Sequence, residues 1–393
     1  MKVLEINVNS GKGSTGKIAT DIATDLNDRG IECVVAYGRG YRDVGVKTYK
    51  IGNKIDYYCH ALSARIFDNV GFGSKRATRE FIKWIKEYDP DVIHLHNIHG
   101  YYINIQILFD YLSKANKPVI WTLHDCWAFT GHCAYFDMAK CDKWKAGCKG
   151  ICPCKKDYPA SYLFSDSEHN WKSKRKIINS VKNIVFVSPS EWLANLLKES
   201  FLNKYPVLVI NNGIDTNVFK PQNSNFRQRY DLENKKIILG VASVWDKRKG
   251  FDDFLKLSSM IDRNSKIILV GLSKQQIELL PPNILGIERT ESVEELVEIY
   301  SAADVFLNLT YEDNYPTVNL EAQACGTPVI TYKTGGSIES VSQKNIVDLG
   351  DLERIVDLIY NMKSSTEKII DSKDSVNKYV SVYEKVIREG YVK

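Results

Sequence analysis

Short runs of apolar residues alternate with helical stretches along nearly the whole chain, and this alternation constrains the fold more than any other feature. The runs are rich in Val and Ile, which is typical of parallel strands covered on both faces. They are Val3–Val8, Glu32–Ala36, Val92–His96, Val119–Leu123, Ile184–Ser188, Ile237–Val241, Lys266–Gly271, Asp304–Leu309 and Pro328–Tyr332. The pattern predicts an α/β chain with a parallel, Rossmann-like sheet that is built twice.

The chain length of 393 residues is better suited to two domains than to one core. We expect a first domain over residues 1–206 and a second over 207–364. The polar, turn-rich segment Asn211–Asn223 is typical of a connection between domains. Residues 365–393 include a helical pattern over Ser365–Glu389, which we expect to pack back on the first domain.

Composition and charge narrow the class of protein. The 44% hydrophobic and 26% charged residues are typical of a soluble globular protein, and no apolar run approaches the length of a membrane span. Glu5 and Asn7 interrupt the first apolar run, so a buried strand is expected there, not a signal peptide, and the protein is expected to be cytoplasmic. A net charge of +5 gives no argument for nucleic acid, and we expect no nucleic-acid partner.

A glycine-rich loop, Gly11–Lys17, follows the first predicted strand and begins a helix. Backbone N–H groups at such a helix start can bind an anion. The residues concerned are Gly13, Ser14, Thr15 and Gly16. The spacing nearly matches a P-loop, but Ile18 replaces the Ser or Thr that would bind Mg²⁺. A loop facing phosphate or substrate is therefore favoured over an NTPase, and an ordinary tight turn is the alternative.

An acidic segment in the second half places two carboxylates near the end of one predicted strand. Asp313 lies in the loop after the strand, and Pro316 is compatible with the first turn of a helix that carries Glu321. Carboxylates can hold the vicinal hydroxyls of a sugar or a ribose. The alternative is a capping carboxylate beside a solvated helix face.

This segment resembles the donor-binding signature of glycosyltransferase family 4, in which two Glu residues precede an Ala-x-x-Cys-Gly-x-Pro segment. Glu321 matches the second Glu, which in the family holds the nucleotide ribose. Asp313 matches the first, which contacts the donor sugar; it is one methylene shorter, and Glu312 beside it is the alternative. Gly335 and Gly336 match a Gly-Gly turn whose backbone amides lie near the donor.

Two further segments extend the resemblance. Lys249 matches the family's Lys-Gly pair, in which Lys neutralises the leaving diphosphate. Ser243 stands where the family has an Arg, and Arg248 is the replacement that can fork across two phosphate oxygens; a solvated basic loop is the alternative. His124 matches a His at a strand end that faces the donor sugar in the family.

The resemblance implies a GT-B architecture, in which two Rossmann-like domains face each other across a cleft. It also implies retaining transfer from a UDP-, GDP- or ADP-sugar to a saccharide acceptor. No catalytic metal is expected, because no Asp-x-Asp motif stands where a metal-dependent transferase needs it. Since the polysaccharide-building members use polyprenyl-diphosphate-linked acceptors, we expect cell-surface polysaccharide synthesis. The rivals are a nucleotide-sugar epimerase, a phosphorylase and a non-catalytic sugar-nucleotide-binding protein.

Three histidines, His94, His96 and His99, lie on or just after the strand before His124. We expect the first two to point to opposite faces of that strand. A metal site formed by the three is therefore disfavoured.

Six of the nine cysteines lie in an insert, residues 126–160, that has no periodicity. In a reducing compartment such clustering is more typical of metal binding than of disulfides. We expect one structural Zn²⁺, with Cys154 or His132 as alternative ligands and with an iron–sulfur cluster or packed thiols as rivals. The expected ligands are Cys133, Cys141, Cys148 and Cys152. A similar Cys-rich insert occurs in the exopolysaccharide and colanic-acid-type branch of the family.

Two basic segments of the first half, Lys75–Ile85 and Asn170–Ile178, also contain Trp and Ile. A helix with cations on one side and aromatics on the other can lie on an anionic membrane surface. The alternative is that the apolar residues face the core. Given a lipid-linked acceptor, we expect peripheral association with the inner face of the cell membrane. The cations expected to contribute most are Lys172, Lys174, Arg175 and Lys176.

Overall fold

The computed structural model describes residues 1–362 and 369–389, which form two compact units. The first contains Met1–Asn211 together with the described residues from Ser375 onward, and the second is Asn212–Asp374. The expected boundary after residue 206 lies before a short strand, Val207–Val209, that pairs with the sheet of the first unit. Residues 207–211 therefore belong to the first unit.

A seven-stranded parallel sheet forms the centre of the first unit. Its strands are β1 Lys2–Asn7, β2 Glu32–Tyr37, β3 Thr48–Lys50, β4 Val92–Leu95, β5 Val119–Thr122, β6 Ile184–Ser188 and β7 Val207–Val209. They lie in the order β3-β2-β1-β4-β5-β6-β7. The chain order reverses between β1 and β4, and open parallel sheets bind ligands at the carboxyl ends of the strands beside such a reversal.

Helices cover both faces of this sheet. They are α1 Gly13–Asp28, α2 Lys54–Phe67, α3 Lys75–Tyr88, α4 Ile105–Ala115, α5 Ser167–Ile178 and α6 Glu191–Glu199. Alternate strand residues enter two separate cores, so Leu4 lies in one and Val3 in the other. Between β5 and α5 the chain makes a long excursion, in which the regular structure is the single 3₁₀ turn Lys143–Lys145.

The second unit repeats the plan with six parallel strands. They are β8 Lys236–Val241, β9 Ser265–Val270, β10 Ile284–Ile287, β11 Val305–Asn308, β12 Val329–Tyr332 and β13 Ile346–Val347. The helices are α7 Phe226–Arg229, α8 Phe251–Leu257, α9 Lys274–Glu278, α10 Val293–Ala302, α11 Thr317–Ala324 and α12 Leu352–Asn361. The strand order β10-β9-β8-β11-β12-β13 reverses between β8 and β11. The prediction of two parallel-sheet α/β domains is confirmed.

Two predictions about the ends of the second unit need correction. The segment Asn211–Asn223 is not only a connection, because Ile214 and Phe219 are buried in the core of the second unit. The last helix, α13 Ser372–Glu389, begins later than Ser365, and residues 365–368 lie outside the described residues. From Ser375 onward α13 belongs to the first unit.

The inner face of α13 completes the second core of the first unit. Val376, Tyr379 and Tyr383 pack there against strand residues such as Val92 and Val185. The Tyr383 hydroxyl also donates a hydrogen bond to Glu5 Oε1, at 3.1 Å. Among the helices of the described residues, none has the length and apolar character that crossing a membrane requires.

Candidate active site

Two charged side chains meet in the second unit at the reversal of the strand order. Lys249 lies in the loop after β8, and Asp313 lies in the loop after β11. The Lys249 Nζ is 2.5 Å from Asp313 Oδ2, and the two side chains are 19% and 15% exposed. They therefore form an ion pair that solvent can reach, at the position where open parallel sheets bind ligands.

The loop that carries Lys249 is fixed by local hydrogen bonds. Asp246 caps the 3₁₀ turn Lys247–Lys249 by accepting the Lys249 N–H at 2.9 Å. Gly250 follows with φ +72, and a Cβ there would lie 2.1 Å from the Leu309 carbonyl oxygen. Only glycine fits this close approach to the end of β11. The glycine of the Lys-Gly pair is therefore required for steric reasons, and the lysine supplies the charge.

Arg248 ties the same loop to the acidic segment. Its Nη1 donates to the Glu312 carbonyl at 3.0 Å, and its own carbonyl accepts the Tyr311 N–H at 2.8 Å. One N–H of the guanidinium therefore braces the backbone instead of being available to phosphate. The Glu312 side chain is buried, and Asp313 is the neighbouring carboxylate that reaches Lys249.

The Gly335-Gly336 turn packs on the backbone of Asp313. The Gly336 N–H donates to the Asp313 carbonyl at 3.3 Å. Gly335 has φ +47, and a Cβ there would lie 2.0 Å from the same carbonyl oxygen. Of the predicted residues, the structure thus brings together Arg248, Lys249, Asp313 and the two glycines.

Glu321 projects from α11, the helix after the acidic loop, and is partly exposed. Its Oε2 accepts a hydrogen bond from the buried Tyr300 hydroxyl at 3.0 Å. Burial and the neighbouring Glu321 charge raise the pKa of Tyr300 far above its usual value. Tyr300 therefore stays protonated and holds one carboxylate oxygen in place.

Asn319 fixes α11 to its surroundings, and sequence reasoning missed it. The side chain is fully buried; its Oδ1 accepts from Asn308 Nδ2 on β11 at 2.9 Å, and its Nδ2 donates to Ser340 Oγ at 2.9 Å. A buried amide needs such partners. A polar residue on the apolar side of a helix was the signal that could have identified it.

A second constellation lies at the strand reversal of the first unit, where histidines from β4 and β5 meet Glu5 on β1. His94 Nδ1 is 3.0 Å from Glu5 Oε1, and His96 Nε2 is 2.6 Å from Glu5 Oε2. The prediction that these two histidines point to opposite faces is wrong, because alternate residues of a strand share a face. His99 instead pairs with Asp125.

A hydrogen-bonded chain leads from Glu5 through His96 to His124. The His96 Nδ1 and the His124 Nε2 are 3.0 Å apart. Burial alone would raise the pKa of Glu5, but its electrostatic interactions and hydrogen bonds with His94 and His96 outweigh burial and lower the pKa to about 2. Burial lowers the pKa of His96 to about 4 and that of His124 well below its usual value.

These shifts define the proton positions along the chain. The ionised Glu5 accepts the Nε2–H of neutral His96, so the Nδ1 of His96 accepts the Nε2–H of neutral His124. The unprotonated nitrogen of the His124 ring is then Nδ1. Glu5 thus sets the tautomer of His124, which lies at the carboxyl end of β5.

The glycine-rich loop follows β1 and leads directly into α1. The helix begins at Gly13, and neither a side-chain cap nor an acidic residue occupies its first turn. Gly13 and Ser14 are exposed, Thr15 is half-buried, and Gly16 packs against Asn9. The first N–H groups of the helix are therefore without a side-chain cap, as an anion site requires.

The cysteines of the insert group differently from the expected zinc ligands. The sulfurs of Cys133, Cys152 and Cys154 lie within 4.8 Å of one another. The expected ligand Cys148 instead accepts the Gly131 N–H at 3.1 Å, and Cys141 packs at the edge of the first hydrophobic core. Of the predicted set Cys133, Cys141, Cys148 and Cys152, the structure brings Cys133 and Cys152 together with Cys154, and it leaves Cys141 and Cys148 outside this group.

The basic helices also differ from the expectation. In α3 Phe81, Ile82 and Ile85 are buried, and in α5 Trp171 is buried, so the apolar residues face the core. Lys174 is buried too: its Nζ donates to the Trp127 and Thr130 carbonyls at 2.7 and 3.0 Å. Lys174 therefore cannot touch a membrane, whereas Lys172, Arg175 and Lys176 are exposed.

Comparison with known proteins identifies the family. Residues 15–218 match the family model described as Glycosyltransferase Family 4, and residues 235–363 match the model described as Glycosyl transferases group 1. The first match alone covers just over half of the chain. The fold and these matches define a glycosyltransferase of the GT-B class. The chain belongs to glycosyltransferase family 4.

Individual proteins resemble the chain in sequence or in fold. The chain is 26% identical over 380 residues to WcaC of Escherichia coli K12, assigned as a colanic acid biosynthesis glycosyl transferase, with 90% of each chain covered. It is 22% identical over 249 residues to a Campylobacter jejuni N,N'-diacetylbacillosaminyl-diphospho-undecaprenol alpha-1,3-N-acetylgalactosaminyltransferase, covering 54% of this chain and 65% of that one. The solved structure of Anabaena Alr3699/HepE with UDP and glucose has a TM-score of 0.68 at 16% identity, covering 98% and 99% of the two chains.

Proposed function

We propose that this protein transfers a glycosyl group from a nucleoside diphosphate sugar to a saccharide hydroxyl, with retention at the anomeric carbon and without a catalytic metal. The observation that supports this most directly is the Lys249–Asp313 pair, braced by the Gly335-Gly336 turn at the strand reversal of the second unit. A cation is available there for the leaving diphosphate. The adjacent carboxylate and Glu321 supply acceptors for sugar and ribose hydroxyls.

Catalysis in this proposal is mainly electrostatic and positional. Negative charge develops on the diphosphate as the glycosidic bond breaks, and Lys249 stabilises it because its ammonium is fixed before the reaction. Asp313 holds that ammonium in the free protein. In the complex its carboxylate accepts a hydrogen bond from a hydroxyl of the donor sugar. The leaving phosphate takes up the acceptor's proton, so no side chain is required as a general base.

In this proposal His124 contacts the donor sugar, as the resemblance to family 4 implies, and Glu5 sets its tautomer through His96. The N–H groups of Gly13, Ser14 and Thr15, which have no side-chain cap, bind an anionic part of the substrate. Both features lie at the carboxyl ends of strands of the first unit, β5 and β1.

The test is a donor screen followed by a transfer assay. Ligand binding to the folded state raises the melting temperature, so one of UDP, GDP or ADP, and a sugar derivative of it, should give the largest shift. Incubation of that donor with saccharide acceptors should then give an α-linked product from an α-linked donor. A new sugar isomer from donor alone would indicate an epimerase instead, and binding with neither reaction would indicate a non-catalytic protein.

For the acceptor, we propose a polyprenyl-diphosphate-linked saccharide in cell-surface polysaccharide synthesis, reached at the inner face of the cell membrane. One face of α2 exposes Ile55, Tyr58 and Leu62, which are 73%, 65% and 61% exposed. At the end of α2, Phe67 stacks on Phe164 with ring centroids 5.8 Å apart. Next to Phe164, Tyr162 and Leu163 are also exposed.

We define these side chains of α2 and residues 162–164 as the α2 patch. Backbone hydrogen bonds from Tyr162 to Arg65 and from Phe164 to Ile66 hold its two parts together. Lys54 and Arg65 are exposed within the same helix. An apolar surface flanked by cations suits an anionic lipid surface better than the buried faces of α3 and α5 do.

Vesicle sedimentation tests this docking. The protein should bind vesicles of anionic lipid at low salt, and replacing Leu62 and Leu163 by Ser should weaken binding at every salt concentration. Charge reversal of Lys172, Arg175 and Lys176 should reduce the salt-sensitive part of vesicle binding, since each cation near such a surface contributes about 1 kcal/mol to the binding free energy. Charge reversal of Lys274 and Lys344, exposed lysines of the second unit, is the control. Protein that stays in the supernatant at low salt would indicate a soluble acceptor.

A further inference from the structure

Three buried thiols of the insert converge on one point. Cys133, Cys152 and Cys154 are 5%, 9% and 3% exposed, and their sulfurs lie within 4.8 Å of one another. All are free thiols. In a tetrahedral zinc site with Zn–S bonds of about 2.3 Å, the sulfurs are about 3.8 Å apart, so only a small contraction is needed.

A fourth candidate ligand precedes the first of these cysteines. His132 is 2% exposed, and its Nε2 is a buried nitrogen without a hydrogen-bond partner. A buried polar atom without a partner is costly in a folded protein and requires a reason. A metal ion bound at Nε2 would supply one.

The other ring nitrogen of His132 is arranged as in known metal sites. Its Nδ1 pairs with Asp68 Oδ1, and Asp68 Oδ2 accepts the Asp166 N–H at 2.8 Å. Ligating histidines usually donate their second N–H to a carboxylate, which fixes the ring and leaves the lone pair on the other nitrogen. Asp68 ends α2 and Asp166 precedes α5, so this arrangement is anchored outside the insert.

We propose that Cys133, Cys152 and Cys154 bind one Zn²⁺ through their sulfurs and that His132 supplies the fourth ligand through Nε2. His132 lies outside the group of mutually close sulfurs, so the sulfurs and the His132 Nε2 approach one another when the metal binds, while Nδ1 keeps its bond to Asp68. Each thiol releases its proton on binding, and the imidazole binds in its neutral form. Neither the bound ion nor the protein changes oxidation state.

The charge balance of the neighbourhood agrees with this site. Zn²⁺ held by three thiolates and one imidazole carries a net negative charge. Lys174 is a buried amine whose two hydrogen bonds go to carbonyl oxygens, which carry no formal charge to balance an ammonium. Cys148, Cys133 and the carboxylates of Asp68 and Asp125 act electrostatically on it. A thiolate centre there would stabilise the ammonium form of Lys174.

The site also explains how the insert can be ordered. Residues 126–166 contain one 3₁₀ turn and no other regular element. The proposed ligands join residues 132 and 133 to residues 152 and 154, and Asp68 joins them to α2. The metal therefore has a structural role, and the proposal is independent of the transferase reaction.

Metal content and spectroscopy of the full chain test the proposal. Elemental analysis of protein purified without added metal should find about one zinc per chain. Removal by a chelator should lower the melting temperature by about 5 °C or more, and added Zn²⁺ should restore it. Co²⁺ added to the metal-free protein should give the sulfur-to-cobalt absorption of a tetrahedral site with three thiolates.

Matched cysteine variants separate the proposed ligands from their neighbours. Cys133→Ser, Cys152→Ser and Cys154→Ser should each lose most of the zinc and the corresponding part of the Co²⁺ absorption. Cys141→Ser and Cys148→Ser, in the same insert, should keep both. His132→Gln should weaken zinc affinity by about 100-fold, and Asp68→Asn by about 10-fold or more.

Four results would overturn the proposal. The first is a protein that contains no zinc and gives no thiolate–Co²⁺ absorption. The second is an intrachain disulfide among the three cysteines, and the third is bound iron with an iron–sulfur spectrum. The fourth is an equal loss of zinc in Cys141→Ser and Cys133→Ser. If a variant does not fold, the Co²⁺ titration of the wild-type chain still reports the kind and number of ligands directly. A transfer assay on the same samples shows separately whether the proposed reaction occurs.

Discussion

Replacing Lys249 by alanine should lower kcat by about 100-fold or more, with a smaller change in the KM for the donor. The expectation follows from its position at the strand reversal, on a loop fixed by the Asp246 cap and by the close approach of Gly250 to β11. Removing one preorganised charge contact to a developing negative charge typically costs this much. The measurement is steady-state transfer with the donor identified in the melting screen.

The surrounding residues supply matched controls for Lys249. Lys247 lies in the same 3₁₀ turn and is exposed, so Lys247→Ala should leave kcat within a few-fold of wild type. Lys249→Arg keeps the charge and should retain more activity than Lys249→Ala. If Lys249→Ala raises KM and leaves kcat unchanged, Lys249 contributes uniform binding and has no catalytic role.

The Asp313 side chain requires a separate comparison because it pairs with Lys249. Asp313→Asn removes the negative partner, and the Lys249 ammonium then has one fewer competitor for phosphate. A loss of activity in Asp313→Asn without a loss of nucleotide binding would therefore show that the carboxylate acts on the sugar. This comparison separates the two members of the ion pair.

The sequence predicted the interior strands of both sheets and missed the short strands at their edges. Val92–His96 and Ile184–Ser188 are buried throughout, and their pattern is unambiguous. By contrast β3 and β7 lie at the sheet edges with partly or fully exposed side chains, and both have only three residues. Edge strands are often short and lack burial on both sides, so a three-residue apolar segment such as Val207–Val209 gives a weaker signal than a longer buried run.

The candidate site could likewise be predicted only in part from the sequence. Motif spacing predicted Lys249, Asp313 and Glu321 as site residues, because each stands in a recognisable segment. It could not identify Tyr300 or Glu5, whose roles depend on partners 21 and 91 residues away in the chain. Such partners become visible only when strands and helices are placed side by side.

The cysteine insert shows most clearly what the sequence alone could not predict. Without a periodic pattern, spacing gave no basis for choosing between Cys148 and Cys154 as partners of Cys133. The choice depends on backbone detail: Cys148 has φ +51, and its sulfur accepts the Gly131 N–H. A thiol used as a hydrogen-bond acceptor for the backbone is not directed at the other sulfurs.

Replacing Glu321 by alanine should abolish measurable transfer, chiefly because the donor no longer binds. In the proposed complex the carboxylate accepts hydrogen bonds from both ribose hydroxyls. Hydrogen bonds to a charged group contribute about 1.5–3 kcal/mol each, so losing two should weaken donor binding by at least about 100-fold. The melting-temperature shift produced by the nucleotide should disappear in Glu321→Ala while the unliganded protein remains folded.

Tyr300 provides the control that separates a ribose contact from a structural role. In the free protein its hydroxyl already donates to Glu321 Oε2. Tyr300→Phe removes that bond but keeps the carboxylate, so it should lower nucleotide affinity only a few-fold, through a less well fixed side chain. Glu321→Gln keeps the shape but loses the charge and should fall between Tyr300→Phe and Glu321→Ala. Near-wild-type activity in Glu321→Ala would disprove the ribose assignment. A Tyr300→Phe variant as inactive as Glu321→Ala would show that the buried pair supports α11 and does not hold the donor.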